Sequence, residues 1–152
     1  MTYRAILEET ATLSPREIAA QERSEWVAEL RTHGISLLGD RGRRYQTTSG
    51  QSVTVAFANE QPHRKNRWFL DLPDEPTDIA VFLCKSLEGK LYDIVLPVSD
   101  LPEVWDVLSS SKSRNQVKFE VKRDAALFLM WIPKRKERLN VTRYIGNYDP
   151  LR

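Results

Sequence analysis

Asp40 and Glu60 flank a hairpin and Asp78 precedes an apolar strand; carboxylates can hold a magnesium ion against a phosphate, but with no lysine between them Asp40 and Glu60 read equally as ordinary turn carboxylates. Asp71, Asp74, Glu75 and Asp78 are also close together. They lack the glycine and the ligand spacing of a calcium loop, and read as a solvated acidic connection. Two histidines and one cysteine, far apart, give no zinc signature. Gly39-Asp40-Arg41-Gly42 has neither the length nor the following lysine and hydroxyl of a nucleotide-phosphate loop. No serine or cysteine stands in the setting of an activated nucleophile. Cys84, inside an apolar run, reads as a buried inert thiol. His33 reads as a helix-terminal residue favoured by the dipole. No cofactor is expected, and magnesium enters only if Asp40, Glu60 or Asp78 act in a nuclease.

The second chemistry on offer is anion binding. The formal net charge is only +2, but it is segregated along the chain. Residues 41–67 carry six basic and one acidic side chain, 68–106 two basic and nine acidic, and 107–138 nine basic and three acidic. Three basic groups stand out: Arg41, Arg43 and Arg44 on one turn, His63, Arg64, Lys65 and Arg67 around a polar loop, and Lys134, Arg135 and Lys136 after a strand. Such groups contact phosphates and position a nucleic acid more than they read it. Tyr45, Trp68 and Trp131 have the rings for base stacking, yet each falls at an apolar strand position and is assigned to core packing.

The elements that must position these residues are legible. Ser14-Pro15-Arg16-Glu17 is a capped helix start. Ile18, Ala19, Trp26, Val27 and Leu30 share a face, Glu22, Arg23, Glu25 and Glu29 mostly face water, and Gly34 stops a helix over about 15–33. A hairpin follows at 43–48 and 51–58, the second strand alternating through Val53, Val55 and Phe57. Ile79 to Cys84 is an unbroken apolar run and reads as a buried central strand paired through a turn at 87–90 with Leu91 to Leu96, where Pro97 ends the ladder. A second helix is expected from Asp100 to Leu108, then an alternating strand from Gln116 to Lys122 and a continuous apolar strand from Ala126 to Ile132. Tyr144, Ile145, Tyr148 and Leu151 suit a tail that docks on the body. At 152 residues, with 41% hydrophobic and 29% charged side chains, the expectation is one α/β (α+β) domain over 1–152, with an arm at 1–13 and a docked tail at 140–152. Its sheet is expected to be mixed, mainly antiparallel, and flanked by two helices. The start of the chain reads as neither secretory signal nor transit peptide, no apolar window spans a membrane, and the cytoplasm is the expected compartment.

The order helix, hairpin, strands, helix, strands resembles the restriction-endonuclease-like PD-(D/E)xK core over about residues 15–110. The pattern Asp78-Ile79-Ala80-Val81-Phe82-Leu83 followed by Tyr92-Asp93-Ile94-Val95-Leu96-Pro97 is similar to strands of small homing and restriction-type nucleases. The resemblance implies duplex DNA as partner and a metal-dependent nuclease site. Where the family places its acidic residue this chain has Tyr45-Gln46, and where it places its acid-x-lysine triplet it has Thr54-Val55-Ala56, so no ligand carries over. The expected function is therefore a DNA-binding module lacking the standard catalytic residues. Two other readings stay open: a protein-interaction module of antitoxin, immunity or adaptor type using the acidic 68–106 segment, and an active nuclease with a migrated site.

Overall fold

The computed structural model describes residues 13–39, 42–108 and 115–152, so Asp40, Arg41 and all but the last residue of the arm expected at 1–13 lie outside the described residues. Helix α1 spans Pro15–Thr32 and begins in the expected capping box: Glu17 N donates to Ser14 Oγ and Ser14 N donates to Glu17 Oε1, both at 3.2 Å. Strands β1 (Arg44–Gln46), β2 (Ser52–Asn59), β4 (Ile79–Lys85) and β5 (Leu91–Pro97) form one four-stranded sheet in the order β1-β2-β4-β5. Strands β3 (Arg67–Pro73), β6 (Gln116–Asp124), β7 (Leu127–Trp131) and β8 (Leu139–Asn140) form a second, in the order β3-β6-β7-β8. Pairing is antiparallel throughout except between β2 and β4. The chain leaves the first sheet after β2, lays down β3 in the second, and returns as β4 parallel to β2.

The expected single sheet is thus two, and the architecture is α+β. Alternation in β4 shows why they stack. Ala80, Phe82 and Cys84 face a core shared with Trp68, Leu70 and Leu72 of β3, Phe119 and Val121 of β6, and Phe128 and Met130 of β7. Ile79, Val81 and Leu83 face a second core with Trp26, Val27 and Leu30 of α1. Helix, first sheet and second sheet therefore form three layers. Phe82 meets Phe119 edge-on across the inter-sheet core, with centroids 5.3 Å apart.

The second helix is shorter than expected: α2 spans only Pro102–Trp105, preceded by a 3-10 turn at Val98–Asp100. Its apolar residues Val98, Leu101, Val104 and Leu108 close one end of the inter-sheet core. Near the end of the described chain, Leu151 is buried in the helix-side core and Tyr144 in the inter-sheet core. Arg23, expected toward water, is only 7% exposed. β7, expected as a continuous apolar strand, is buried on one face only, leaving Leu127 and Trp131 exposed. Cys84 is free and buried, and burial pushes its thiol up. Among the described residues, no helix is long and apolar enough to cross a membrane.

Asp93, at the helix-side face of β5, ties three elements: Trp26 Nε1 donates to its Oδ2 at 2.9 Å and the Tyr148 hydroxyl donates to the same oxygen. Burial, and then the hydrogen bond to Asp93, raise the Tyr148 phenol above its ordinary range. A raised folded-state value means that this contribution is fully present below the unfolded tyrosine value of about 10 and is lost as pH rises above it. Tyr148→Phe is expected to cost about 1.5–3 kcal/mol in urea unfolding at pH 7. It should also flatten the fall in stability of the wild-type chain above about pH 10. Phe82→Ala should cost about 3–5 kcal/mol in the same assay, while Phe69→Ser, on the outer face of the second sheet, should change stability by less than about 1 kcal/mol.

Candidate nucleic-acid interface

The first sheet buries both faces, but the second covers only one. The alternation of β3 buries Trp68, Leu70 and Leu72 and turns Arg67, Phe69 and Asp71 outward. On β6, Phe119 and Val121 go inward, leaving Lys118, Glu120 and Lys122 outside; on β7, Phe128 and Met130 go inward, leaving Leu127, Leu129 and Trp131. Register aligns these outward residues in rows. Arg67 pairs with Lys122, Lys122 with Leu129 and Leu129 with Asn140; Phe69 pairs with Glu120 and Glu120 with Trp131; Asp71 pairs with Lys118.

The middle row carries the chemistry. Phe69 is 42% and Trp131 38% exposed, large rings left in water where strand alternation puts a solvent face. Between them Glu120 accepts from Arg67 Nη1 and Arg138 Nη2, each at 2.9 Å, so one carboxylate orients two guanidinium groups and the cluster keeps a positive charge. Arg138 Nη1 has no partner among the described residues. The Arg64 guanidinium lies 5.7 Å from the centroid of the Phe69 ring, within cation–π range. Lys65, Lys118 and Lys122 form no ion pair among the described residues. Flat rings, guanidinium planes and lysines on one open sheet face can stack bases and contact phosphates together.

Glu60 positions the loop that supplies Arg64 and Lys65. It is 8% exposed, and its carboxylate accepts from Asn66 N at 2.7 Å and Leu87 N at 3.0 Å, clasping the start and end of the polar loop to the β4–β5 turn. Asn66 completes the turn at φ 64°, a conformation asparagine tolerates well. Asp78 is engaged similarly: its Oδ2 accepts from Ser52 N at 2.8 Å and from Ser52 Oγ at 3.2 Å, fixing β2 to β4. These two candidate metal ligands therefore serve as backbone clasps, and the third, Asp40, lies outside the described residues. No group of three or more His, Cys, Asp or Glu that could hold a metal ion gathers among the described residues.

The remaining basic candidates have other neighbours. Arg43 donates to Gln116 Oε1 at 2.8 Å and to the Asp71 carbonyl at 2.7 Å, joining the β1 edge to the second sheet. Arg44 pairs with Glu75 at 3.2 Å and Arg135 with Asp106 at 3.6 Å. His63, Lys134 and Lys136 are exposed. Of the three rings considered for stacking, Tyr45 and Trp68 are buried, Trp68 donating its indole N–H to the Lys85 carbonyl, and only Trp131 is available. Phe69, Lys118, Lys122 and Arg138 join the site without having been candidates. The signal for Phe69 is the alternation Arg67-Trp68-Phe69-Leu70-Asp71-Leu72, in which the ring shares a parity with Arg67 and Asp71.

Compared with protein-family models, with curated proteins and with solved structures, the chain finds no match. Glu120→Ala should release Arg67 and Arg138 and lower stability by about 1–3 kcal/mol, read from the urea midpoint at constant slope. Because the clasp is polar and local, the far-ultraviolet spectrum should be unchanged.

Proposed function

We propose that this chain is a nucleic-acid-binding protein that takes a single-stranded segment across the outer face of its second sheet. Bases stack on Phe69 and Trp131, Arg64 extends the Phe69 platform, and Lys65, Lys118 and Lys122 contact phosphates. The observation that carries this reading is the cross-strand row Phe69–Glu120–Trp131, in which two large rings stay in water beside a two-arginine clasp. Unpaired bases are favoured over a duplex because bases already stacked within a helix offer no free π-face to an exposed ring.

This reading keeps the nucleic-acid association implied by the restriction-endonuclease-like resemblance and moves the contact from the basic hairpin to the sheet face. The scaffold acts by binding, with Glu60 and Asp78 committed to loop geometry.

Fluorescence anisotropy with labelled single-stranded DNA, single-stranded RNA and duplex DNA of matched length tests it. Single strands should bind with a steep salt dependence and more tightly than duplex. Since stacking is worth about 1–3 kcal/mol per base, the Phe69→Ser, Trp131→Ser double variant should lose affinity by at least about tenfold. Duplex preference, or equal affinity for the double variant, would remove the proposal. Indifference to every nucleic acid together with a protein retained through purification would favour the protein-interaction reading instead.

A further inference from the structure

On the other side of the molecule, α1 and the β1–β2 hairpin enclose a cleft of about 600 Å³. Its described lining is Arg16, Ala19, Ala20 and Arg23 of α1, Gly42 and Arg43 before β1, and Phe57 of β2. Three arginines thus face one cavity, and no carboxylate is among the described lining residues.

Arg23 is the telling residue. It is only 7% exposed, yet among the described residues its guanidinium makes a single hydrogen bond, from Nε to the Gly42 carbonyl at 3.1 Å. Neither Arg23 nor Arg16 forms an ion pair among the described residues. Arg23 lines the cleft, and no described residue accepts a hydrogen bond from its Nη1 or Nη2. Burial first, and then the charge of Arg43, hold the Arg23 guanidinium below its ordinary value, with Arg16 acting in the same direction and Tyr45 against it. Arg43 is held in position by Gln116 and the Asp71 carbonyl, and the Asp71 carboxylate offsets part of its charge.

A buried guanidinium with one described hydrogen bond, lining a cleft with two more, suits an anion with several acceptor oxygens. We propose that this cleft binds a phosphate monoester, with the phosphate on Arg16, Arg23 and Arg43 and the organic part against Ala19, Ala20 and Phe57. A dianionic phosphate supplies acceptors for more than one guanidinium fork, and the two alanines leave the floor open. The ligand is either the terminal phosphate of a nucleic-acid strand or a free small phosphomonoester. This inference does not rest on the sheet-face interface.

The test uses the full chain with inorganic phosphate as probe, by isothermal titration and by thermal unfolding against chloride at matched ionic strength. Saturable binding and a melting temperature that rises with phosphate concentration are expected. Arg16→Gln, on the exposed first turn of α1, should weaken phosphate binding at least about tenfold, and Arg23→Lys, which keeps the charge but loses the planar fork, should do the same. The Phe69→Ser, Trp131→Ser double variant should bind phosphate like wild type, so failure here and failure of the sheet-face reading are told apart. A tenfold preference for a 5′-phosphorylated over a 5′-hydroxyl oligonucleotide, abolished by Arg16→Gln, assigns the ligand to a strand end. Equal affinity for the two, with adenosine 5′-monophosphate bound, assigns it to a small phosphomonoester. No stabilisation beyond the chloride control, or stabilisation unchanged in Arg16→Gln, overturns the proposal.

Discussion

β4 is buried along six consecutive positions, and the division of its side chains between two cores organises the molecule. Ala80, Phe82 and Cys84 bind the first sheet to the second, while Ile79, Val81 and Leu83 bind it to α1. With pleat period two, no other register satisfies both layers, because a shift of one residue would exchange the two sets. Once the first sheet is consumed on both faces, any solvent-facing sheet surface must come from the second. The polar positions of β3 and β6 and the apolar exposed positions of β7 follow from that outermost place.

What could be read in advance depended on whether a signal was local. The Ser14 capping box, the unbroken Ile79–Cys84 run and the alternation of Gln116–Lys122 each specify their own element, and each is found where the pattern puts it. Assignment to sheets is not local: alternation says which residues share a face and nothing about which strand lies beside them, so one sheet was expected where two stack. β7 illustrates a degenerate pattern, since Leu127-Phe128-Leu129-Met130-Trp131 is apolar at every position and offers no parity to separate core from surface. Arg23 was hidden for a related reason. Helical periodicity places it off the apolar stripe, and its contact with the Gly42 carbonyl before β1 is made only in the folded chain. The stretch that was to be a full second helix forms four helical residues, as Pro102 opens a turn whose apolar side chains suffice to plug one end of the core.

The cations divide by what their neighbours demand. Arg43 and Arg67 hold strands and loops together through oriented hydrogen bonds, and their geometry is fixed. Arg44 with Glu75 and Arg135 with Asp106 are partly exposed pairs of the kind worth about 0–1 kcal/mol, so a competing phosphate could displace either carboxylate at little loss. Lysines 65, 118 and 122 have no structural task among the described contacts. Among the described residues, segregated charge therefore does not gather into one groove; it divides between a sheet face with exposed lysines and aromatic rings and a separate cleft lined by Arg16, Arg23 and Arg43.

Those two surfaces differ in solvation, and under the proposed readings that difference would govern selectivity. On the open face, charges lie in high dielectric, attraction is screened over about 10 Å at 0.1 M salt, and contact discriminates poorly between one polyanion and another. In the cleft, Arg23 has already lost most of its water, and taking a charge out of water costs several kcal/mol unless a counter-ion restores the balance. The described residues supply no such counter-ion, only the Gly42 carbonyl. A bound anion would recover part of that desolvation cost, so affinity there scales with how well its oxygens match the fixed guanidinium groups. Among the described residues Arg23 has no carboxylate partner, so under the proposed reading an added anion would restore more there than beside exposed lysines.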